Sequence, residues 1–163
     1  MIIIMQYREE RDEEGTIYII SEEESVCSVC TGILVVIGSR KRGLINSAGD
    51  KETLVIRRLR CQKCQKIHHE LPDRIIPYKR HCAETFENVI NGKVEDACCD
   101  FVVEKRIRAW WTAMRLYFES VLASLRIKYG AAFPANPAPR EIVRATANAN
   151  LWIHTRSAMT RTG

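Results

Sequence analysis

Four of the seven cysteines stand in two Cys-x-x-Cys pairs, Cys27-Ser-Val-Cys30 and Cys61-Gln-Lys-Cys64. Two intervening residues are the shortest spacing that turns both sulfurs of one bend toward a common ion. Two such bends supply the four thiolates of a tetrahedral structural site. Thirty residues lie between Cys30 and Cys61, room for a hairpin that folds the second bend onto the first. A redox dithiol would want a thioredoxin-like βαβ setting, which this stretch lacks. Unliganded buried thiols fit poorly beside Gln62, Lys63, Gln65 and Lys66, which are too polar for a core. The expected ligands are therefore Cys27, Cys30, Cys61 and Cys64, around one Zn2+. Four thiolates leave no open position for a reactive water, so the ion is expected to be structural. With four sulfurs available, neither His68 nor His69 is required as a ligand. Cys82, Cys98 and Cys99 read as small buried hydrophobes. An odd cysteine count excludes complete disulfide pairing within one chain, and this usage points to a reducing, cytoplasmic setting.

Charge supplies the second signal. The net +5 of the chain conceals a divided distribution: residues 1–24 carry −6, and residues 38–80 carry +8. A basic concentration of that kind is the footprint of a polyanion binder. Arg40, Lys41 and Arg42 precede a turn, and Arg57, Arg58 and Arg60 lie on the return run. On an extended strand Arg58 and Arg60 point to one face and Arg57 to the other. At least two guanidinium forks can then reach phosphates together. The competing use of these arginines is pairing with Glu52 or Glu70.

The elements that must carry these residues change character along the chain. Met1-Ile-Ile-Ile-Met5 reads as an edge strand; it is too short for a secretory core and runs into acidic residues. Ile17–Ile20, Ile33–Ile37 and Thr53–Arg60 are β-prone, Gly38–Gly43 reads as a basic bend, and Asn46-Ser-Ala-Gly-Asp50 has hairpin-turn chemistry. Pro72 and Pro77 bracket a connector. Beyond it, Ala83, Phe86, Val89 and Ile90 recur at helical spacing, and Asn91-Gly92 supplies a stop. From Ile107 through Trp110, Trp111, Met114, Tyr117, Phe118, Val121, Leu122 and Leu125 the steps describe one long amphipathic helix. Pro134, Pro137 and Pro139 mark a linker before a last helix over 141–157, docked by Ile142, Leu151 and Trp152. No apolar run approaches the roughly 18 residues of a membrane helix, and at 46% apolar and 28% charged the composition is that of a globular chain.

The expected fold is α+β: an N-terminal β-rich zinc ribbon followed by an all-helical, helix-turn-helix-like domain. The divisions are an acidic segment at 1–16, the ribbon at 17–78, helices at 79–130, a linker at 131–140 and a C-terminal helix at 141–163. Helices at 83–91, about 93–99 and 101–128 would make the helix-turn-helix. The long helix at 101–128 would be the one that offers Lys105, Arg106 and Arg108 to DNA, with Asp100 as its N-cap.

Leu59-Arg-Cys61-Gln-Lys-Cys64 and His68-His-Glu-Leu-Pro-Asp-Arg-Ile-Ile-Pro-Tyr-Lys-Arg80 resemble a bacterial family of unknown function. Its members carry a zinc ribbon and a helix-turn-helix-like segment. The closing Asn150-Leu-Trp-Ile-His-Thr-Arg156 stretch is similar too, so the likeness spans residues 18 to 160. More distantly, the knuckles and the Arg57-Arg58 run resemble the N-terminal zinc-ribbon modules of insertion-sequence transposases. Where the family tends to place a small hydroxyl residue before the long helix, this chain has Cys98-Cys99-Asp100. The resemblance implies duplex DNA as partner and a role as regulator or accessory factor of a mobile element. No catalytic set of acids is recognisable, so a non-enzymatic protein is expected. The alternative is a protein-interaction adaptor, or a homodimer formed through the long helix, with the ribbon purely structural.

Overall fold

The computed structural model describes residues 1–130 and 137–153. Six strands come first: β1 (Ile2–Ile4), β2 (Tyr7–Arg11), β3 (Ile17–Ser21), β4 (Leu34–Ile45), β5 (Lys51–Cys61) and β6 (Ile67–Pro72). Three helices follow: α1 (Ala83–Ile90), α2 (Phe101–Tyr129) and α3 (Pro139–Asn148). The long β4–β5 hairpin is the spine, paired from Leu34↔Cys61 to Ile45↔Lys51. Its turn is fixed by Asn46, whose side-chain carbonyl accepts the N–H groups of Ala48 (3.0 Å) and Asp50 (2.9 Å), with Gly49 at φ +91°.

On its other edge β5 is shared. Arg58–Arg60 pair antiparallel with β6, while Leu54 and Val55 pair parallel with β3. Beyond them, β1 joins β6 in parallel and β2 joins β3 antiparallel, giving a mixed, half-barrel sheet. Residues directly opposite on paired strands share a face. Ile17, Ile19, Leu44, Leu54, Ile56 and Leu71 thus line the concave side, each 5% exposed or less. β1 is buried despite ending the sheet. The Asn148 amide of α3 accepts from Ile3 N–H (2.7 Å) and donates to Ile3 C=O (3.0 Å), standing in for the missing neighbour strand.

The three helices close this concavity. Ile107, Trp110, Met114, Phe118 and Leu122 of α2 join the same apolar cluster as the β1, β3 and β5 residues, together with Phe86 of α1 and Val143 of α3. Phe118 is 1% exposed, edge-on to Trp110 and 6.0 Å from the Trp152 ring centroid. The apolar positions expected for the long helix are its buried side, and Asp100 caps it by accepting from Val103 N–H at 2.8 Å.

The structure departs from the expected fold. The helices do not form an all-helical, helix-turn-helix-like domain; they are the covering layer of the half-barrel. Between α1 and α2 there is only a 3₁₀ turn at Val94–Asp96. Gly92 takes φ +79° after α1, and from Lys93 to Cys99 only Ala97 is buried, so no apolar face exists to hold a middle helix. Gly38–Gly43 is likewise not a bend. β4 runs through it, absorbing one residue in a bulge between Val36 and Gly38. Strand β6 (Ile67–Pro72) lies just before the Pro72–Pro77 connector, in a stretch where no strand was expected. α3 ends at Asn148, and the expected last turns from residue 154 onward, the closing motif's His154 to Arg156 and the linker at 131–136 lie outside the described residues. Among the described residues, no helix is long and apolar enough to cross a membrane.

Candidate metal centre

The hairpin brings the two cysteine pairs together at its open end. The first precedes β4, and the second follows β5, so their separation in sequence is the length of the hairpin itself. Each pair forms the same bend. Thr31 N–H donates to Cys27 C=O (2.8 Å) and Cys27 N–H to Gly32 C=O (3.0 Å). In the second, Gln65 N–H donates to Cys61 C=O (3.0 Å) and Cys61 N–H to Lys66 C=O (3.0 Å). The residue after the second cysteine takes a left-handed backbone in both, Thr31 at φ 56° and Gln65 at φ 61°. For a β-branched threonine that conformation is costly and marks a site whose surroundings enforce it. Gln62 N–H donates to Ile33 C=O (3.0 Å), tying one bend to the other.

Four sulfurs converge as a result. Those of Cys27, Cys30, Cys61 and Cys64 all lie within 4.8 Å of one another. Two edges measure 3.6 Å (Cys27–Cys64) and 3.5 Å (Cys30–Cys61). A tetrahedron with metal–sulfur bonds of about 2.3 Å has edges of about 3.8 Å, whereas a disulfide would need roughly 2 Å. All four thiols are free. The donor set and its spacing therefore fit a metal ion. The Cys64 N–H, donating to Cys61 Sγ, is the foremost influence that holds Cys61 down to about 6. Lys66 N–H pulls on Cys64, but burial and the other thiols outweigh it and push Cys64 up to about 11. Of the second pair, Cys61 thus ionises before Cys64, and an incoming cation would favour the thiolate form of its ligands.

The cradle is tight. A Cβ at Gly32 would lie 2.9 Å from Cys61 Sγ, 3.0 Å from Lys63 Cβ and 3.3 Å from Cys30 Sγ. Gly32→Ala is therefore expected to weaken metal binding about 10- to 100-fold, the range seen when the shell around ligands is disturbed. Competition against a chromogenic chelator measures it, and unchanged affinity would show that the bend has room to spare. His68 is not among the converging ligands; its Nε2 lies 3.3 Å from Cys27 Sγ. The ring is 3% exposed, and burial, foremost, holds its pKa below the usual value. In its neutral Nε2–H tautomer the ring would donate to a metal-bound Cys27 sulfur, a contact that would set ligand orientation and charge. Sequence gave no signal for this role: His68 sits opposite Leu59 only because of the β5–β6 register.

The basic residues are divided between the two sheet faces. Arg40, Arg42, Arg58, Arg60 and His69 share the concave side through the pairs Arg40↔Ile56, Arg42↔Leu54, Gly38↔Arg58 and Arg58↔His69. Lys41 and Arg57 lie on the opposite face. Arg57 is engaged there, donating to both carboxylate oxygens of Glu70 at 2.6 and 2.9 Å. Lys105, Arg106 and Arg108 are exposed on α2, and Arg108 pairs with Glu104 at 2.8 Å. Three adjoining clefts link the concave set to the helix. The largest, about 850 Å³, includes Arg40, Arg42, Lys79 and Arg80 in its lining. One of about 200 Å³ shares Arg40 and Arg42 and adds His69. A third, about 210 Å³, shares Lys79 and Arg80 and adds Arg106. The one acid lining them, Glu52, is held by Arg74 and Asn46 and faces Arg11 at 3.9 Å. The acidic N-terminal residues that form ion pairs find Arg8 and Arg74, away from this track.

Comparison with curated proteins and with solved structures gave no match. Residues 27–110 match the model of a family described as a domain of unknown function, DUF6431. The match opens on the first of the four cysteines and runs through both bends, the hairpin, α1 and the first turns of α2. It takes in a little over half of the 163 residues, and the chain belongs to the DUF6431 family.

Proposed function

We propose that this is a non-enzymatic, cytoplasmic nucleic-acid-binding protein in which a structural zinc ion stiffens a basic β-hairpin. An all-thiolate, tetrahedrally spaced set favours Zn2+ over the oxygen-seeking cations. Filling it with four sulfurs leaves the ion no coordination site for chemistry. Zinc therefore serves to fix the open end of the β4–β5 hairpin. Arg40, Arg42, Arg58 and Arg60 then stand at set positions along one face, and Lys79, Arg80 and Arg106 prolong the track across the clefts. The observation that carries the reading is the run of Arg40, Arg42, Lys79, Arg80 and Arg106 along adjoining clefts, with Arg58 and Arg60 on the same sheet face as Arg40 and Arg42; none of these shares an ion pair with a described carboxylate. Phosphate contacts of this kind fix position on a polyanion and do not read sequence. The likeness of the cysteine bends and of Arg57-Arg58 to transposase ribbon modules supports duplex DNA as the polyanion, and a regulator or accessory factor as the role.

Salt dependence tests it. Six phosphate contacts should cost about a thousandfold in affinity between 50 and 200 mM salt. Arg40, Arg80 and Arg106 donate no side-chain hydrogen bond within the described protein. The variant Arg40→Ala/Arg80→Ala/Arg106→Ala should therefore keep its fold and lower the salt slope by about three. A wild-type binding constant for duplex DNA that ignores salt, or a triple variant that binds as before, removes the basic track as the contact surface.

A further inference from the structure

The smallest of the three clefts differs from an ordinary basic surface. Its floor is apolar, made by Ile56 of β5 and Leu71 of β6, 2% and 5% exposed. Over that floor stand Arg40, Arg42 and His69, with the Tyr78 ring at the rim and no carboxylate in the lining. Arg42 is already oriented, since one terminal nitrogen donates to the Lys79 carbonyl at 2.9 Å. Its Nε is buried without a partner, a donor removed from water with nothing to accept from it. Burial, then the Arg40 charge, lowers the Arg42 pKa; burial, then Arg40 and Arg58, lowers that of His69. The two guanidinium groups repel each other and hold the His69 ring toward its neutral form, with no carboxylate in the lining to offset them. Tyr78 holds a left-handed backbone (φ 63°) at the rim, a strained conformation of the kind that gathers at ligand sites.

We propose that this cavity is a binding site for a phosphate monoester, with Arg42 Nε and the Arg40 guanidinium donating to the phosphoryl oxygens and His69 as a third donor. A compact oxyanion satisfies the orphaned Nε, offsets the charge of the two guanidinium groups and fits a space of about 200 Å³. The site stands on its own geometry. Placing the phosphate at the 5′ end of a nucleic-acid strand, rather than on a small metabolite, rests on the function proposed above.

Titration of the full chain with inorganic phosphate, followed by amide and imidazole NMR shifts, tests the site. Saturable shifts at Arg42 and His69 are expected. Arg42→Lys keeps the charge but removes the Nε donor, and it should weaken phosphate binding about tenfold or more, as loss of one charge-assisted hydrogen bond does. His69→Gln, which leaves Arg42 and its Lys79 contact untouched, should weaken it as well, so the test does not hang on one variant. The source is settled by short oligonucleotides with and without a 5′-phosphate. About tenfold tighter binding of the phosphorylated strand, lost in Arg42→Lys, supports the strand end. Equal binding of the two strands alongside saturable phosphate binding keeps the site and overturns that assignment. Wild-type protein that shows no saturable response to phosphate overturns the site, whether or not it binds duplex DNA.

Discussion

Chelating the metal is expected to unravel one end of the molecule and leave the rest folded. The apparent binding energy of a structural thiolate zinc site is about 10–16 kcal/mol, comparable with or above the roughly 5–15 kcal/mol that holds a whole domain together. Whether its loss unfolds everything depends on what else each segment packs against. The continuous apolar core runs from β1, β3 and β5 into the helices, and it includes neither Cys27, Leu59 nor Cys61. Around the cysteine bends Val26, Ile33, Val36 and Ile67 are 45% exposed or more. Apart from the Arg57–Glu70–Ser25 node, that end therefore has little besides backbone hydrogen bonds and a metal ion, once bound, to order it. The Trp110–Phe118 cluster, by contrast, needs no metal. Amide hydrogen exchange should show protection falling at least roughly a hundredfold over residues 27–37 and 59–67, with Leu54, Ile56 and the α2 amides still protected. Cys61→Ser should behave as the chelated protein does, and helical circular dichroism should persist in both. Global loss of structure would mean the sheet depends on the ion throughout. Protection that survives a demonstrably metal-free preparation would remove the metal from the scaffold altogether.

The same contrast explains what could be read from the chain and what could not. The cysteine bends were legible because their geometry is local: two residues between ligands, turn chemistry at Asn46–Asp50, β-branched runs on either side. The buried face of α2 was legible for the same reason, since Trp110, Met114, Phe118 and Leu125 repeat at the helical period. The helix-turn-helix failed because helical spacing says which face is buried but not what covers it. Here the cover is a concave sheet, assembled from strands up to about seventy residues apart, as in Ile2↔Glu70. Strand β6 was hidden by its own composition. His68, His69 and Glu70 do not look like a strand, and they become one because β5 and β1 flank them. The division of the arginines was half visible: alternation separates Arg57 from Arg58 and Arg60, but only the register puts Glu70 within reach of Arg57.

Arg57→Ala should accordingly destabilise the protein rather than simply subtract a phosphate contact. Glu70 is the most buried carboxylate of the described residues, its side chain 1% exposed. Both of its oxygens are taken by Arg57, and Oε1 also accepts from Ser25 Oγ at 2.8 Å. Removing the guanidinium leaves a buried charge with one hydroxyl for company, a change that costs about 3–5 kcal/mol in buried pairs. The Arg57 side chain is 34% exposed, so water can replace part of what is lost, and about 3 kcal/mol is the expected figure. Ser25 lies two residues before Cys27, so the broken node also loosens the stem of the first cysteine bend. Thermal or urea unfolding of Arg57→Ala, Glu70→Gln and the double variant forms the deciding cycle. Neutralising Glu70 in the Arg57→Ala background should recover a large part of the loss, because the penalty is the stranded charge and not the missing contact. A single variant as stable as wild type, or a double variant no better than Arg57→Ala, would show that Glu70 carries no such penalty. The cycle also bears on nucleic-acid binding. A drop in affinity on mutating Arg57 counts against the fold first, whereas the same drop at Arg40 or Arg106, which pair with nothing in the described protein, counts as loss of a phosphate.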